Sequence, residues 1–174
     1  MPLTPAQLTT FGQHIAANTN TIGGVQIGQL PHTADNAFDV AAWYNVLFDP
    51  AYYVWRTEVG LEEIYLNGFD WSRVDNLSVG KARIWEWMFK FGRIDPSKTN
   101  IRAGIDATWV GTQADLNVRA AVYAHCYEPC TRAQQVFVTA TAGGSGTRGS
   151  TANPDTRGFV GRVEDSEVRA IWGI

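Results

Sequence analysis

Apolar residues recur at spacings of three and four through most of the chain, the period of a helix with one buried face. Thr4, Pro5 and Gln7 read as a helix start. Thr4 can cap, Pro5 suits the first helical position, and Gln7 completes a capping box. Leu8, Phe11 and Ile15 then share a face, and the pattern fades near Asn18. Gly23-Gly24 and Pro31 break the connection that follows. Asp35 to Leu47 is a second helical stretch carrying Phe38, Ala41, Ala42 and Val46, and it must end before Pro50. The aromatic and β-branched run AYYVWRTEV (51–59) predicts a short strand or extended segment. GLEEIYLNG predicts one or two helical turns stopped by Gly68.

The best helical signal runs from Ser78 to Phe91, with Ser78 as cap, Ile84, Trp85, Met88 and Phe91 as the apolar repeat, and Gly92 as the stop. Trp87 lies about 200° around this helix from Trp85, so one face cannot hold every aromatic. The helix is therefore either a central core helix or one that buries a second face on a partner. Asn100 can cap the IRAGIDATWV stretch, which Gly111 ends. Thr112 with Asp115 is another capping box, opening the longest pattern: Leu116, Val118, Ala121, Val122, Cys126 and beyond. Pro129 must kink or split it, because proline lacks the amide proton and clashes with the preceding turn. Ala133, Val136, Phe137 and Ala140 continue a helical stripe.

The pattern then collapses into TATAGGSGTRGSTANPDTRG (139–158). Gly144 and Gly149 have the separation of a phosphate-binding loop, but Ser150 stands where the lysine must be and no helix can start directly after it. The stretch has almost no apolar anchor, so it predicts a mobile arm that reaches a neighbouring subunit rather than a nucleotide site. Arg148 and Arg157 are its basic residues and are candidates to meet a neighbour's carboxylates. GFVGRV is a short strand candidate, and Asp165 caps a last turn or two. The tail VRAIWGI places Ile171, Trp172 and Ile174 as a candidate docking segment, with burial against the chain's own core as the alternative. The expected fold is mainly α: a helical bundle with a long Gly/Ser/Thr-rich arm, a short β segment and a short C-terminal helix or tail. Two parts are expected: 1–142 as the helical domain, and 143–174 as the extended arm, short strand and C-terminal docking segment.

Composition narrows the functions. With 45% hydrophobic and 18% charged residues in 174, a real core is expected. A formal charge of −3 argues against a broad nucleic-acid surface. The start of the chain lacks a basic, apolar signal core, and no apolar run approaches a membrane span, so a soluble protein made in the cytoplasm is expected. Trp is abundant, and the basic residues are mostly Arg, with Lys only at 81, 90 and 98. Trp and Arg are enriched and Lys depleted at protein interfaces, although a Trp-rich core gives the same composition.

Candidate chemistry is sparse. Cys126 and Cys130 would share a face of a continuous helix, but with His125 they do not complete a zinc ligand set, and buried reduced thiols are the favoured reading. His125, Cys126 and Asp106 place a thiol in mid-helix, without the setting that activates a nucleophile. Glu62, Glu63, Asp70 and Asp75 read as caps and surface charges. No catalytic residue, cofactor site or metal site is expected.

YYVWRTEV (52–59), DWSRVDNLSVGKARIWEWMF (70–89) and NIRAGIDATWVGTQADLNVRAAVYAHC (100–126), with MPLTPAQLTT at the start, resemble a family of small morphogenesis proteins of tailed bacteriophages and prophages. The similarity is dense and runs from Met1 to about Val168; Pro129-Cys130 and the long arm depart from it. The resemblance implies a structural virion protein, not an enzyme, most similar to head-to-tail connector (adaptor) proteins. These form a ring, commonly dodecameric, between the capsid portal and the tail. The implied partners are copies of itself, the portal protein and a tail or nozzle protein, with no membrane. DNA would pass nearby without sequence-specific binding. Alternatives within the virion are a capsid decoration or cement protein and a tail terminator or completion protein.

Overall fold

The computed structural model describes residues 2–66, 69–141 and 146–174. Helix α1 (Pro5–Ala16) starts as its capping box dictates: the Thr4 hydroxyl accepts from the Gln7 amide at 3.3 Å and the Gln7 side chain accepts from the Thr4 amide at 2.9 Å. A two-residue hairpin follows, β1 (Thr21–Ile22) against β2 (Val25–Gln26), then a 3-10 turn at Ile27–Gln29 and α2 (Ala34–Tyr44). The chain continues through β3 (Tyr53–Trp55), β4 (Val59–Gly60), α3 (Leu61–Leu66), a 3-10 turn at Trp71–Asn76, α4 (Val79–Met88) and β5 (Arg93–Ile94). It ends with α5 (Thr99–Thr108), α6 (Gln113–Ala124), β6 (Tyr127–Pro129), α7 (Arg132–Val136) and α8 (Asp165–Trp172). The fold is mainly α, with only short strands among the described residues.

In space the residues gather into two units: unit 1 holds 1–52, 129–139 and 157–174, and unit 2 holds 53–128 and 140–156.

In unit 1, α8 packs on α2 and α1. Its core is Phe11 and Ile15 of α1, Val40 and Tyr44 of α2, Ile27, Phe159, Val163 and Val168. The Tyr44 hydroxyl accepts from Asn18 Nδ2 at 2.7 Å and lies 2.8 Å from His14 Nδ1, so the phenol is satisfied inside the core. Burial pushes its pKa up to about 12.

In unit 2, the core is aromatic. Trp85 and Trp109 meet edge to face at 5.4 Å, and Phe69 and Phe89 flank them. Ile105, Val118, Val122 and Cys126 complete the cluster. β4 pairs antiparallel with β5, and β3 pairs with β6, whose Tyr127 and Glu128 belong to this unit. Thr112 and Asp115 form the expected capping box of α6, and Arg73 donates to Asp115 at 2.7 Å. Arg73, with the Thr112 amide and hydroxyl, holds the Asp115 carboxyl down at about 2. Gly92 (φ +78) and Gly111 (φ +127) take backbone conformations that favour glycine, but α4 has already ended at Met88, short of the expected Phe91, and α5 at Thr108.

Five expectations change. First, the long helical pattern after Thr112 is cut at Ala124. Residues 127–129 become a strand, and Thr131 caps the short α7, so Cys126 and Cys130 do not share a helix face. The edge of β3 captures this segment, a long-range pairing that no local pattern announces. The stripe meant to continue to Ala140 stops with α7 at Val136.

Second, α5 starts at Thr99 after Lys98, leaving Asn100 inside it, and α8 is capped by Glu164, leaving Asp165 as its first residue. Third, GFVGRV forms no strand. Val163 exchanges both backbone bonds with the Asn45 side chain (2.9 and 2.8 Å), which replaces a ladder partner.

Fourth, α2 buries Ala37, Val40, Ala41 and Tyr44, while Phe38 and Val46 face outward; α4 buries Trp85, with Phe89 beyond its end, while Ile84 and Phe91 face outward. Fifth, the described part of the Gly/Ser/Thr stretch does not extend away. It lies along β3: the Tyr53 amide donates to the Gly149 carbonyl (2.6 Å), Trp55 to Asp155 (2.9 Å), and Asp155 back to Tyr53 (3.1 Å). Residues at alternate positions of a strand aim their backbone groups at the same edge, so Tyr53 and Trp55 serve this edge together. Gly144 of the phosphate-loop spacing, and the expected Gly68 stop of α3, lie outside the described residues.

Candidate interaction surfaces

Arg148 and Arg157 were expected to face a neighbour. Arg148 instead grips its own chain: its guanidinium meets the fully buried Asp155 carboxylate at 2.6 Å, and the head stays half exposed. The same loop is tied by a Ser150–Asn153 bridge and by Asn153 Nδ2 donating to the Gly146 carbonyl at 3.2 Å. Arg157 is partly buried in unit 1. Ile171 and Trp172 pack against the unit 1 core, and the Trp172 ring stacks on His32 at 4.6 Å; Ile174 stays outside. Ile171, Trp172 and His32 line an apolar groove of about 580 Å3 together with Leu8 and Gly12 of α1. The expected site residues thus fall into two groups, Arg148 in unit 2 and the other four in unit 1.

The most exposed apolar side chains lie elsewhere. Ser78 caps α4, its hydroxyl accepting from the Lys81 amide at 3.4 Å, and that start sets which residues point inward. Trp85 is 4% exposed and donates its indole N–H to the Tyr65 hydroxyl at 3.3 Å. On the other side Trp87 is 69% and Phe91 86% exposed. Val79 and Ile84 are exposed as well. Lys90 sits over the Trp87 ring at 4.9 Å, a cation–π contact that keeps a positive charge at the centre of this face. Residues 79–93 hold four basic residues (Lys81, Arg83, Lys90, Arg93) against Glu86, a formal +3 in a chain of formal −3. Arg93 is paired with Glu58.

In unit 1, α2 has the same construction with opposite charge. Thr33 caps it, accepting from the Asn36 amide at 3.2 Å. Phe38 is 64% exposed, Val46 and Leu47 are about half exposed, and Asp35 and Asp39 lie on the surface beside them. Residues 33–49 hold three aspartates and no Lys or Arg, a formal −3. A groove of about 330 Å3 runs beside Phe38 and Ala42, bounded by Arg162, Glu164 and Asp165. This face was missed because Phe38, Ala42 and Val46 read as the buried stripe. The signal lay in a second apolar row, 37/40/41/44, on the same short helix.

Several polar groups of unit 2 are engaged structurally. Arg56 donates to Glu63 at 2.6 Å and to the His125 carbonyl at 3.1 Å. That guanidinium draws the Glu63 pKa down, and Glu63 raises that of Arg56 in return. Asp70 caps the 71–76 turn through the Ser72 amide, 3.0 Å. Asp106 accepts from the Tyr123 hydroxyl at 3.1 Å and meets Arg119 at 3.6 Å. Cys126 and Cys130 are buried and carry no disulfide. Burial pushes the Cys126 thiol up to about 12, so it stays protonated at neutral pH and is a poor nucleophile there. Among the described residues no three His, Cys, Asp or Glu gather as a metal-holding group, and no helix is long and apolar enough to cross a membrane.

Compared with family models, with curated proteins and with solved structures, the chain finds no match in any of the three.

Proposed function

We propose that this protein is a structural virion component of a tailed phage or prophage: a ring-forming connector, dodecameric as in the proteins it resembles, that joins the capsid portal to the tail. Its partners are copies of itself, the portal protein and a tail or nozzle protein, and DNA passes nearby without being read. The observation that carries this reading is the apolar area left outside on α2 and α4. Phe38 on α2, Trp87 on α4 and Phe91 just past the end of α4 stand in water, while the other faces of both helices already fill a core. Large exposed aromatics grouped on one face mark surfaces that are covered by a partner. The segments 52–59, 70–89 and 100–126 supply the phage direction through their family resemblance.

The test is capture from cells that produce the particle. The tagged chain is purified and its companions are identified and counted by mass spectrometry. Portal and tail proteins, with one ring's worth of copies per particle, are the expected result. Major capsid protein without portal, with a shell's worth of copies, would move the protein to a decoration role. Absence from particles would overturn the virion reading altogether.

A further inference from the structure

The outward faces of α2 and α4 match each other in size, in apolar content and in charge. α2 is eleven residues long and α4 ten, so each presents about 15 Å of helix. Along α4, Arg83 and Trp87 lie four apart, and Lys90 and Phe91 follow in the turn just past its end; along α2, Asp35, Phe38/Asp39 and Ala42 follow one another at helical spacing. Residues 79–93 carry a formal +3, with Arg93 paired to Glu58, and residues 33–49 a formal −3; Arg83 and Lys90 on one side and Asp35 and Asp39 on the other are exposed. We infer that α4 of one copy docks on α2 of a second copy, with Trp87 and Phe91 covering Phe38 and the groove beside it, and with Arg83 and Lys90 facing Asp35 and Asp39. The occupant is a second copy rather than another protein because both halves of the match are present in every chain.

Three physical points shape this contact. Joining two different faces makes it heterologous, so it propagates from copy to copy and closes into a ring or runs on as a filament. It is small, since a stable specific interface buries about 1,200–2,000 Å2 and two short helices supply only part of that. Single contacts are therefore weak, and closure or a second attachment strengthens them. The groove also carries Arg162 on its rim, and Asp165 there is already paired with Arg169 at 2.5 Å, so Asp35, Asp39 and Glu164 supply the acidic field. The Lys90 ammonium over Trp87 delivers charge and ring to the same spot, an arrangement suited to an acidic, aromatic-bearing partner face. The inference deepens the ring-forming reading and rests on it for its biological setting, while its test in solution stands alone.

The test is the molar mass of the full chain by light scattering and sedimentation, at low (about 0.05 M) and high (about 0.5 M) ionic strength. The wild type should rise above 19.2 kDa with concentration at low salt and fall back at high salt. R83E/K90E should stay monomeric, as should D35K/D39K. An equimolar mixture of the two should associate, and so should one chain carrying all four changes, because each restores opposite charges across the contact. W87A, which changes no charge, should weaken association about tenfold or more. All of these positions are on the surface, and circular dichroism verifies the fold of each variant. A wild type that stays monomeric in every condition overturns the inference. So does association indifferent to both charge reversals, or a mixture of folded variants that fails to associate. Particle capture separates the two claims. Charge-swap rescue in a protein absent from virions keeps the pairing and removes the connector; a virion protein whose mass ignores the reversals does the opposite.

Discussion

Unit 1 closes its core with aliphatic side chains around Phe11 and Tyr44, and it satisfies the one buried hydroxyl with the neutral groups of Asn18 and His14. Unit 2 closes around Trp85, Trp109, Phe69 and Phe89 and carries ion pairs at its margins, Arg56–Glu63, Arg73–Asp115 and Arg148–Asp155. Each unit nevertheless contains a short helix with more apolar residues than its core takes up. In unit 1 the surplus is Phe38 with aspartates around it; in unit 2 it is Trp87 and Phe91 with Arg and Lys around them. The lesson is that a helix apolar on two sides has two separate roles, and that the charges flanking the outer side tell which kind of surface it meets.

The largest effect should come from the buried side of α4. Trp85→Ala or Trp109→Ala should cost about 3–5 kcal/mol in chemical denaturation. Phe11→Ala in unit 1 should fall in the same range, and a cost under about 1 kcal/mol for either Trp would break the account of unit 2 as a tryptophan-centred core. Next comes Arg148→Ala, which removes a guanidinium from a fully buried carboxylate and should cost about 1–3 kcal/mol. Limited proteolysis should then cut within 146–156, a segment the wild type protects along β3.

A smaller effect separates the units by pH. Asp115 has a depressed pKa, so its contribution is complete above the ordinary carboxylate value near 4 and is lost as pH falls toward about 2. Burial also lowers the His14 pKa, so the folded state disfavours its protonated form, and unit 1 should lose stability as pH drops below about 6.5. Denaturation midpoints against pH should show the acid step removed in Asp115→Asn and the near-neutral one removed in His14→Gln. The smallest effect on stability is expected for Trp87→Ala, within about 0.5 kcal/mol, because its ring stands in water.

Much of the helical framework was legible in the chain. The capping boxes at Thr4 and Thr112 and the Ser78 cap are local chemistry, and local chemistry survives folding. What escaped depends on distant partners. Residues 127–129 look helical until β3 offers an edge; Val163 looks like a strand residue until Asn45 occupies its backbone groups; 149–155 looks unanchored until the same β3 takes it on the other side. The second face of α4 was legible from Trp85 and Trp87. That of α2 was not, because small residues, Ala37 and Ala41, occupy the buried side while the large Phe38 points out.

The most direct measurement is hydroxyl-radical footprinting of the associated and the dilute protein, read residue by residue by mass spectrometry. Trp87, Phe91 and Phe38 should be protected together on association, while Leu66 and Trp71, exposed residues that belong to neither α2 nor α4, react as before. Equal oxidation of Trp87 and Phe38 in the two states, with association verified in the same sample, would contradict the docking of α4 on α2.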